Sequence, residues 1–479
     1  MGNKGGVSFS TDLFYDCPGP LSISNNDVKD FMSDAEKAYI TIKDGESPLL
    51  FDDDNLMTGW INLPAYYIEE KKDFLKNIKI AAEQFNKNID VYVSIGTGGS
   101  YLGIEAVINA LLPDYYNQLT RQDRNCPEIY FVGNHMDSDS IYSLLRCFKD
   151  KQIGINVISK SGTTTETAVA FRILKNFIKQ QQSSPEKFTI ITTNKSSGSL
   201  RKLIKKNGFN ENYFSYDDLE EFVIPPNIGG RFSITSPVGL FGMAAAGIDI
   251  TGFIKGAYDM QKYIDKTKSK NNPAILRAAL RTAIQSNGVK IENIVSTQKA
   301  LYGLCRWSRQ LWPESEGKQG KGLWVSHGFY TEDAHSIGQL ISDGQRNLIE
   351  TFLTLEKPVN EIPIPRDKYA DDGLEHLSET DKNVSFINDC AVKGLMYDHY
   401  NRGVPIFEYK FSEMSAYNLG QFFQCEMNAC LTACVMQGIN AVTQPGVEGY
   451  KNAMFALSGK PGYEGSQKEI IDFFETKNI

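Results

Sequence analysis

The strongest constraint on the fold is an alternation. Short apolar runs rich in β-forming residues are followed by loops carrying glycines or hydroxyls, and then by amphipathic helical stretches. In the first half, strands are expected at 90–95, 128–133, 155–159 and 188–193, and helices over 102–112, 138–148 and 165 to about 180. Runs that are apolar throughout suit strands covered on both faces, and so a parallel sheet between helical layers. A second series places strands at 292–296, 322–326, 349–355 and 405–410, after a helical stretch near 239–288. A helix over 415–438, rich in Ala, Cys, Met and Phe, closes it as core or interface. The class is α/β, with two αβα layers in tandem. A chain of 479 residues has length for two or three domains. The expected divisions are an N-terminal arm at 1–45 with a capped helix at 26–32, a first domain at 46–245 containing a long helix over 64–85, a second at 246–455, and a tail at 456–479. Residues 365–383 read as a polar surface insert.

Composition narrows the partners. A net charge of −8 argues against a nucleic-acid partner, which needs a basic face. It leaves room for a phosphorylated small molecule, which a few N–H groups and cations can hold. No apolar run reaches the roughly 18 residues of a membrane helix, and the first residues have no signal-type apolar region, so no membrane partner and a cytoplasmic location are expected. The eight cysteines are scattered without a Cys-x-x-Cys pair and read as buried, reduced thiols. With five scattered histidines, no metal centre and no cofactor are expected.

In open α/β sheets the chemistry sits beyond the carboxyl ends of the strands. After the first strand comes Gly96-Thr97-Gly98-Gly99-Ser100, either a tight turn or a phosphate-accepting helix start. After the third comes Ser159-Lys160-Ser161-Gly162-Thr163-Thr164-Thr165-Glu166, the densest hydroxyl run in the chain, opening a helix. One cap needs one hydroxyl, so several together favour an anion cradle. Gly229-Gly230-Arg231 suits a guanidinium facing an oxyanion, or a salt-bridged arginine. Pro313-Glu314-Ser315-Glu316-Gly317-Lys318-Gln319-Gly320-Lys321-Gly322 reads as a carboxylate on a glycine-rich turn, where a base could work beside an anion. In that reading Glu316, Lys318 and Lys321 shape and balance the loop. His335, among acidic residues, is either a general acid/base or structural, and Lys451 follows a glycine-bearing turn into a helix.

Six blocks in this order resemble the glucose-6-phosphate isomerase (phosphoglucose isomerase) family: 98–103, 159–167, 229–233, 314–318, 333–339 and 444–451. The resemblance implies two SIS-type αβα sandwich domains with mainly parallel sheets, and interconversion of D-glucose 6-phosphate and D-fructose 6-phosphate through a cis-enediol(ate). It implies that Glu314 is the base, Arg231 the enediolate's cation, His335 the ring-opening acid/base and Lys451 its aid at the ring oxygen. Ser159, Ser161, Thr163 and Thr164, with Lys160 beside them, would hold the phosphate. Gly99, Ser100, Gln310 and Gln444 would touch sugar or phosphate, and Glu166 would orient His335. It also implies a homodimer with shared active sites, for which the arm and the 415–438 helix are interface candidates. Competing readings are a non-catalytic sensor with the same cradle and an isomerase that also accepts mannose 6-phosphate.

Overall fold

A computed structural model describes residues 6–182, 184–367, 372–378 and 382–477. Each apolar run becomes a strand, and the strands form two sheets. The chain starts in the second of them. β1 (Val7–Ser10) pairs antiparallel with a strand some four hundred residues away, and α1 (Lys29–Asp44) packs on that unit's helices. The N-terminal segment is therefore woven into the second unit. Its helix begins three residues later than the expected 26–32 and runs on to Gly45, which ends it in the left-handed conformation.

The first sheet has four parallel strands: β2 (Val91–Ile95), β3 (Glu128–Val132), β4 (Ile153–Ile158) and β5 (Thr189–Thr192), in spatial order β3-β2-β4-β5. Val91, Val93 and Ile95 point into one apolar cluster with Phe171 and Leu174, while Tyr92 points into another. This is why the run is apolar without alternating. The expected 64–85 helix is broken. A π-type turn at Tyr66–Glu70 follows Pro64, and the helix resumes over Lys72–Asn86. α2 (Leu102–Leu111) follows β2, and α3 (Thr165–Gln182) follows β4.

The helix Pro237–Ala245 packs on the first unit's helices, and the second unit opens with the helix Ile250–Lys266 and with α4 (Pro273–Ser286). β6 (Ile291–Ser296), β7 (Trp324–Phe329), β8 (Leu348–Leu355) and β9 (Ile406–Phe411) then pair in parallel, in order β1-β9-β8-β6-β7. β7 starts two residues later than the expected 322, because Gly320 (φ +72°) and Gly322 (φ +93°) still belong to a turn. α5 (Lys299–Glu316) links β6 to β7. α6 (Ala416–Met436) is buried along almost its whole length inside its own chain, so it is core and not an interface candidate. α7 (Glu448–Leu457) and α8 (Glu464–Lys477) close the chain. Of the polar insert, residues 368–371 and 379–381 lie outside the described residues.

One apolar core runs through both units, from Tyr92 and Phe241 to Trp307, Leu311 and Phe407. The junction is tight: a Cβ on Gly303 of α5 would meet the Ala106 Cα of α2 at 2.9 Å. That contact aligns the loop before α2 with the end of α5. All eight cysteines are unpaired. Five are buried, as expected, but Cys147 and Cys390 are exposed and Cys126 is half-buried. No helix among the described residues is long and apolar enough to cross a membrane.

Candidate active site

Glu314 does not sit on a glycine-rich turn. It occupies the last turn of α5, and the turn begins after it, at Gly317. Glycine is required there, because a Cβ on Gly317 would lie 2.5 Å from the Pro313 carbonyl oxygen. Gln310 lies one helical turn before Glu314, and its amide donates to Glu314 Oε2 (2.8 Å).

Arg231 faces the other carboxylate oxygen. It sits in a one-turn helix at Gly230–Phe232, almost wholly buried, with the Phe232 ring stacked on Trp60. Its Nη1 donates to Glu314 Oε1 (3.2 Å) and Gln444 Oε1 (3.0 Å), and its Nε donates to Ser315 Oγ (2.7 Å). Nη2 donates to the carbonyls of Ala441 and Thr443. The loop after β2 lies directly on this turn. A Cβ on Gly99 would fall 2.1 Å from the Gly230 backbone, and one on Gly98 2.9 Å from Gln310 Nε2. Only glycines allow the two loops to touch. Ser100 follows, half-buried, at the entrance to α2.

The hydroxyl loop after β4 is prefolded. Ser159 Oγ accepts from the Gly162 N–H (3.1 Å), and Ser161 Oγ accepts from the N–H (3.2 Å) and hydroxyl (3.0 Å) of Thr163. The Thr193 and Ser199 hydroxyls donate to the carbonyls of Ser159 (2.7 Å) and Gly162 (2.8 Å) from behind. Thr164 and Thr165 lead into α3, whose first N–H groups have no intrahelical acceptor, so the loop ends on an anion-favouring helix start. Lys160 points elsewhere. Its ammonium donates to the carbonyls of Pro226 (2.9 Å) and Ile228 (3.4 Å), strapping this loop to the Arg231 turn, and burial lowers its pKa from the usual lysine value.

Three of the predicted residues stand apart. His335 lies exposed in a short turn after β7, held by Asp333, whose Oδ2 accepts from the Phe329 N–H (2.7 Å). Glu166 is on the first turn of α3, and among the described residues no hydrogen bond joins it to His335. Lys451, in the first turn of α7, pairs with Glu448 (2.9 Å). The structure therefore brings together Gly99, Arg231, Gln310, Glu314 and Gln444, and it sets the hydroxyl loop beside them through Lys160.

Two supporting residues escaped the sequence reading, and the three charged residues expected to shape and balance the turn each have a defined partner. Ser315 is buried and holds Arg231, which a serine beside the base gives no pattern to foresee. Thr193 follows β5 directly, and its place behind the hydroxyl loop follows only from the pairing of β5 with β4. Lys318 is no surface charge. Its ammonium donates to the Glu314 (2.9 Å) and Ser315 (2.5 Å) carbonyls, and burial, then the Arg231 guanidinium, lowers its pKa to about 8. Glu316 is fully buried against Arg281, and Lys321 donates to the Gln437 carbonyl (2.7 Å).

Two mainly parallel αβα units, with an arginine–carboxylate pair and a hydroxyl loop where they meet, define an α/β protein of the SIS type whose site can exchange protons near an anion. The protein-family model described as phosphoglucose isomerase matches residues 42–468. The glucose-6-phosphate isomerase of Acetivibrio thermocellus is 40% identical over 87% of this chain and 90% of its own, and that of Clostridioides difficile is 39% identical over the same shares. Among solved structures, a hypothetical protein from Thermus thermophilus aligns with a TM-score of 0.76 at 23% identity, covering 93% of this chain and 98% of its own. A glucose-6-phosphate isomerase from Chlamydia trachomatis aligns at 0.72 and 18% identity, over 98% and 92%. The chain belongs to the phosphoglucose isomerase family.

Proposed function

We propose that the chain interconverts D-glucose 6-phosphate and D-fructose 6-phosphate, and that Glu314 carries the proton between C2 and C1. The observation that carries the reading is the pairing of one carboxylate with one fully engaged guanidinium: Glu314 Oε1 lies 3.2 Å from Arg231 Nη1. An aldose–ketose exchange needs a base that removes the C2 proton and returns it to C1, and a cation that meets the enediolate charge as it forms. The sugar ring must open first. One group takes the anomeric hydroxyl proton while another protonates the ring oxygen, which are the roles of His335 and Lys451. The base then takes the C2 proton, the C2–H electron pair becomes the enediolate double bond, and charge accumulates on the C1 oxygen facing Arg231. The C2 hydroxyl proton passes to the C1 oxygen, which moves the charge to the C2 oxygen, and delivery of the carried proton to C1 then re-forms a carbonyl, now at C2.

Ser159, Ser161, Thr163 and Thr164 hold the phosphate at the start of α3, with hydroxyl and N–H donors and no metal ion. Lys160 acts by keeping that loop against the Arg231 turn. Gln310 Oε1, buried without a donor, offers an acceptor to a substrate hydroxyl. Gly99, Ser100 and Gln444 line the sugar. His335 stands apart from Glu314 in its own chain, which supports a homodimer in which it serves the neighbouring site beside that chain's Glu166. A cytoplasmic setting fits eight unpaired cysteines.

An assay that couples glucose 6-phosphate formation from fructose 6-phosphate to its oxidation tests the reading, and absence of turnover by the purified protein refutes it. Glu314→Gln is expected to lower kcat by at least roughly 10²-fold, the low end for loss of a general base. Binding of a non-isomerisable sugar phosphate should change little. A variant with wild-type kcat would remove Glu314 from the role.

A further inference from the structure

The base is held from the side it does not use. Successive helical residues turn by about 100°, so positions two before and two after Glu314 lie on the opposite face of α5. Those positions are Trp312 and Glu316, both wholly buried. Glu316 is clamped by Arg281 of α4 in a two-pronged pair (Nη1 to Oε2 2.5 Å, Nη2 to Oε1 2.6 Å), and Oε1 also accepts from the Leu323 N–H (3.0 Å). Arg281 in turn donates to Glu292 in β6 (2.6 Å) and stacks over Trp312 at 4.1 Å. The Trp312 indole donates to Glu426 of α6 (2.8 Å). The following turn closes over the pair, since a Cβ on Gly322 would meet Glu316 Cγ at 3.1 Å. Burying these charges is costly, and similar-sized apolar side chains would stabilise the core at least as well. What the charged set adds is direction: α5 cannot rotate or slide at its end without breaking a two-pronged pair.

We propose that Glu316 is a positioning residue for Glu314, acting through Arg281 to fix the helix end from which the base reaches both C1 and C2. This rests on the isomerase reading above. A single carboxylate that must visit two neighbouring carbons tolerates little displacement, because a shift of about 1 Å can cost roughly 10²-fold. A loosely held base also keeps the proton longer before delivering it, so more of that proton exchanges with water.

The test uses Glu316→Gln in the full-length protein, with glucose 6-phosphate deuterated at C2 as substrate. Two quantities are read: kcat against KM, and the fraction of deuterium found at C1 of the fructose 6-phosphate formed. We expect kcat to fall about 10- to 10²-fold with KM nearly unchanged, and the retained fraction to drop at least about twofold against wild type. A merely structural role would lower the active fraction or the melting temperature and leave the retained fraction where it was; that outcome, or an unchanged kcat, overturns the proposal. If Glu316→Gln does not fold, Glu316→Asp keeps the charge and shortens the reach, and wild-type kcat and retention in it overturn the proposal equally. Wild-type protein without any turnover would instead refute the isomerase reading.

Discussion

Arg231 is locked in place. Its three nitrogens reach Ser315, Glu314, Gln444 and two backbone carbonyls, so the guanidinium plane is fixed before substrate arrives. A lysine there would keep the charge but offer a point ammonium in place of a rigid fork. Arg231→Lys is therefore expected to lower kcat by roughly 10²–10³-fold, the range for losing a preorganised donor to a developing oxyanion. Steady-state kinetics with fructose 6-phosphate checks it, and a loss below tenfold would mean that charge alone suffices. At this scale the sequence was informative where a residue's job needs bare backbone next to it. Gly99 and Arg231 stood out because glycines mark where a loop can come close to a ligand, and Gly99 also proves to be the point where the two loops touch. Ser315 and Glu316 did not, since their partners Arg231 and Arg281 come from distant segments. A faint signal existed: Arg277 and Arg281, four apart in the largely apolar α4, and Glu292 inside a strand, all fully buried.

At the scale of elements, the end of α5 was the least legible part of the site. Gly317, Gly320 and Gly322 follow closely, which made Glu314 look like a turn residue. Pro313 sits in the final turn, where one lost backbone bond is tolerable and the cation of Lys318 then meets the last carbonyls. That cation pays with burial, and the consequence is measurable. The folded pKa near 8 lies below the ordinary lysine value of 10.5, so between the two the folded chain holds fewer protons than the unfolded one. Stability from this group is reduced below about pH 8 and recovers as pH rises from there toward 10.5. One proton sets a ceiling of about 1.4 kcal/mol per pH unit, and water around this half-buried ammonium reduces it. Urea unfolding of wild type and Lys318→Met across that range should show the difference moving in favour of wild type as pH rises; parallel curves would deny Lys318 the shifted pKa. The strands were legible to within a few residues because burial on both faces writes a continuous apolar run. The Tyr66–Glu70 break and β1 were not, since both depend on what packs against them.

At the scale of the molecule, a single core runs through both units, and Lys160 ties the hydroxyl loop to the Arg231 turn. What the chain leaves outside that body is His335, on an exposed turn, and the hairpin of α7 and α8, on which Ile471 and Phe473 are exposed. The proposed shared-site dimer can be tested by a sharp arithmetic. His335→Ala and Glu314→Gln each disable both sites of their own homodimers. If each site takes its base from one chain and its histidine from the other, a mixed dimer has one site with both substitutions and one with neither. Random pairing at equal amounts makes about half the dimers mixed, so about a quarter of wild-type activity returns. Co-expression of the two variants with different tags, followed by tandem purification of the mixed dimer, raises the expectation to about half. If His335 served its own chain, every site in the mixed dimer would carry one substitution, and the mixture would be no more active than its parents.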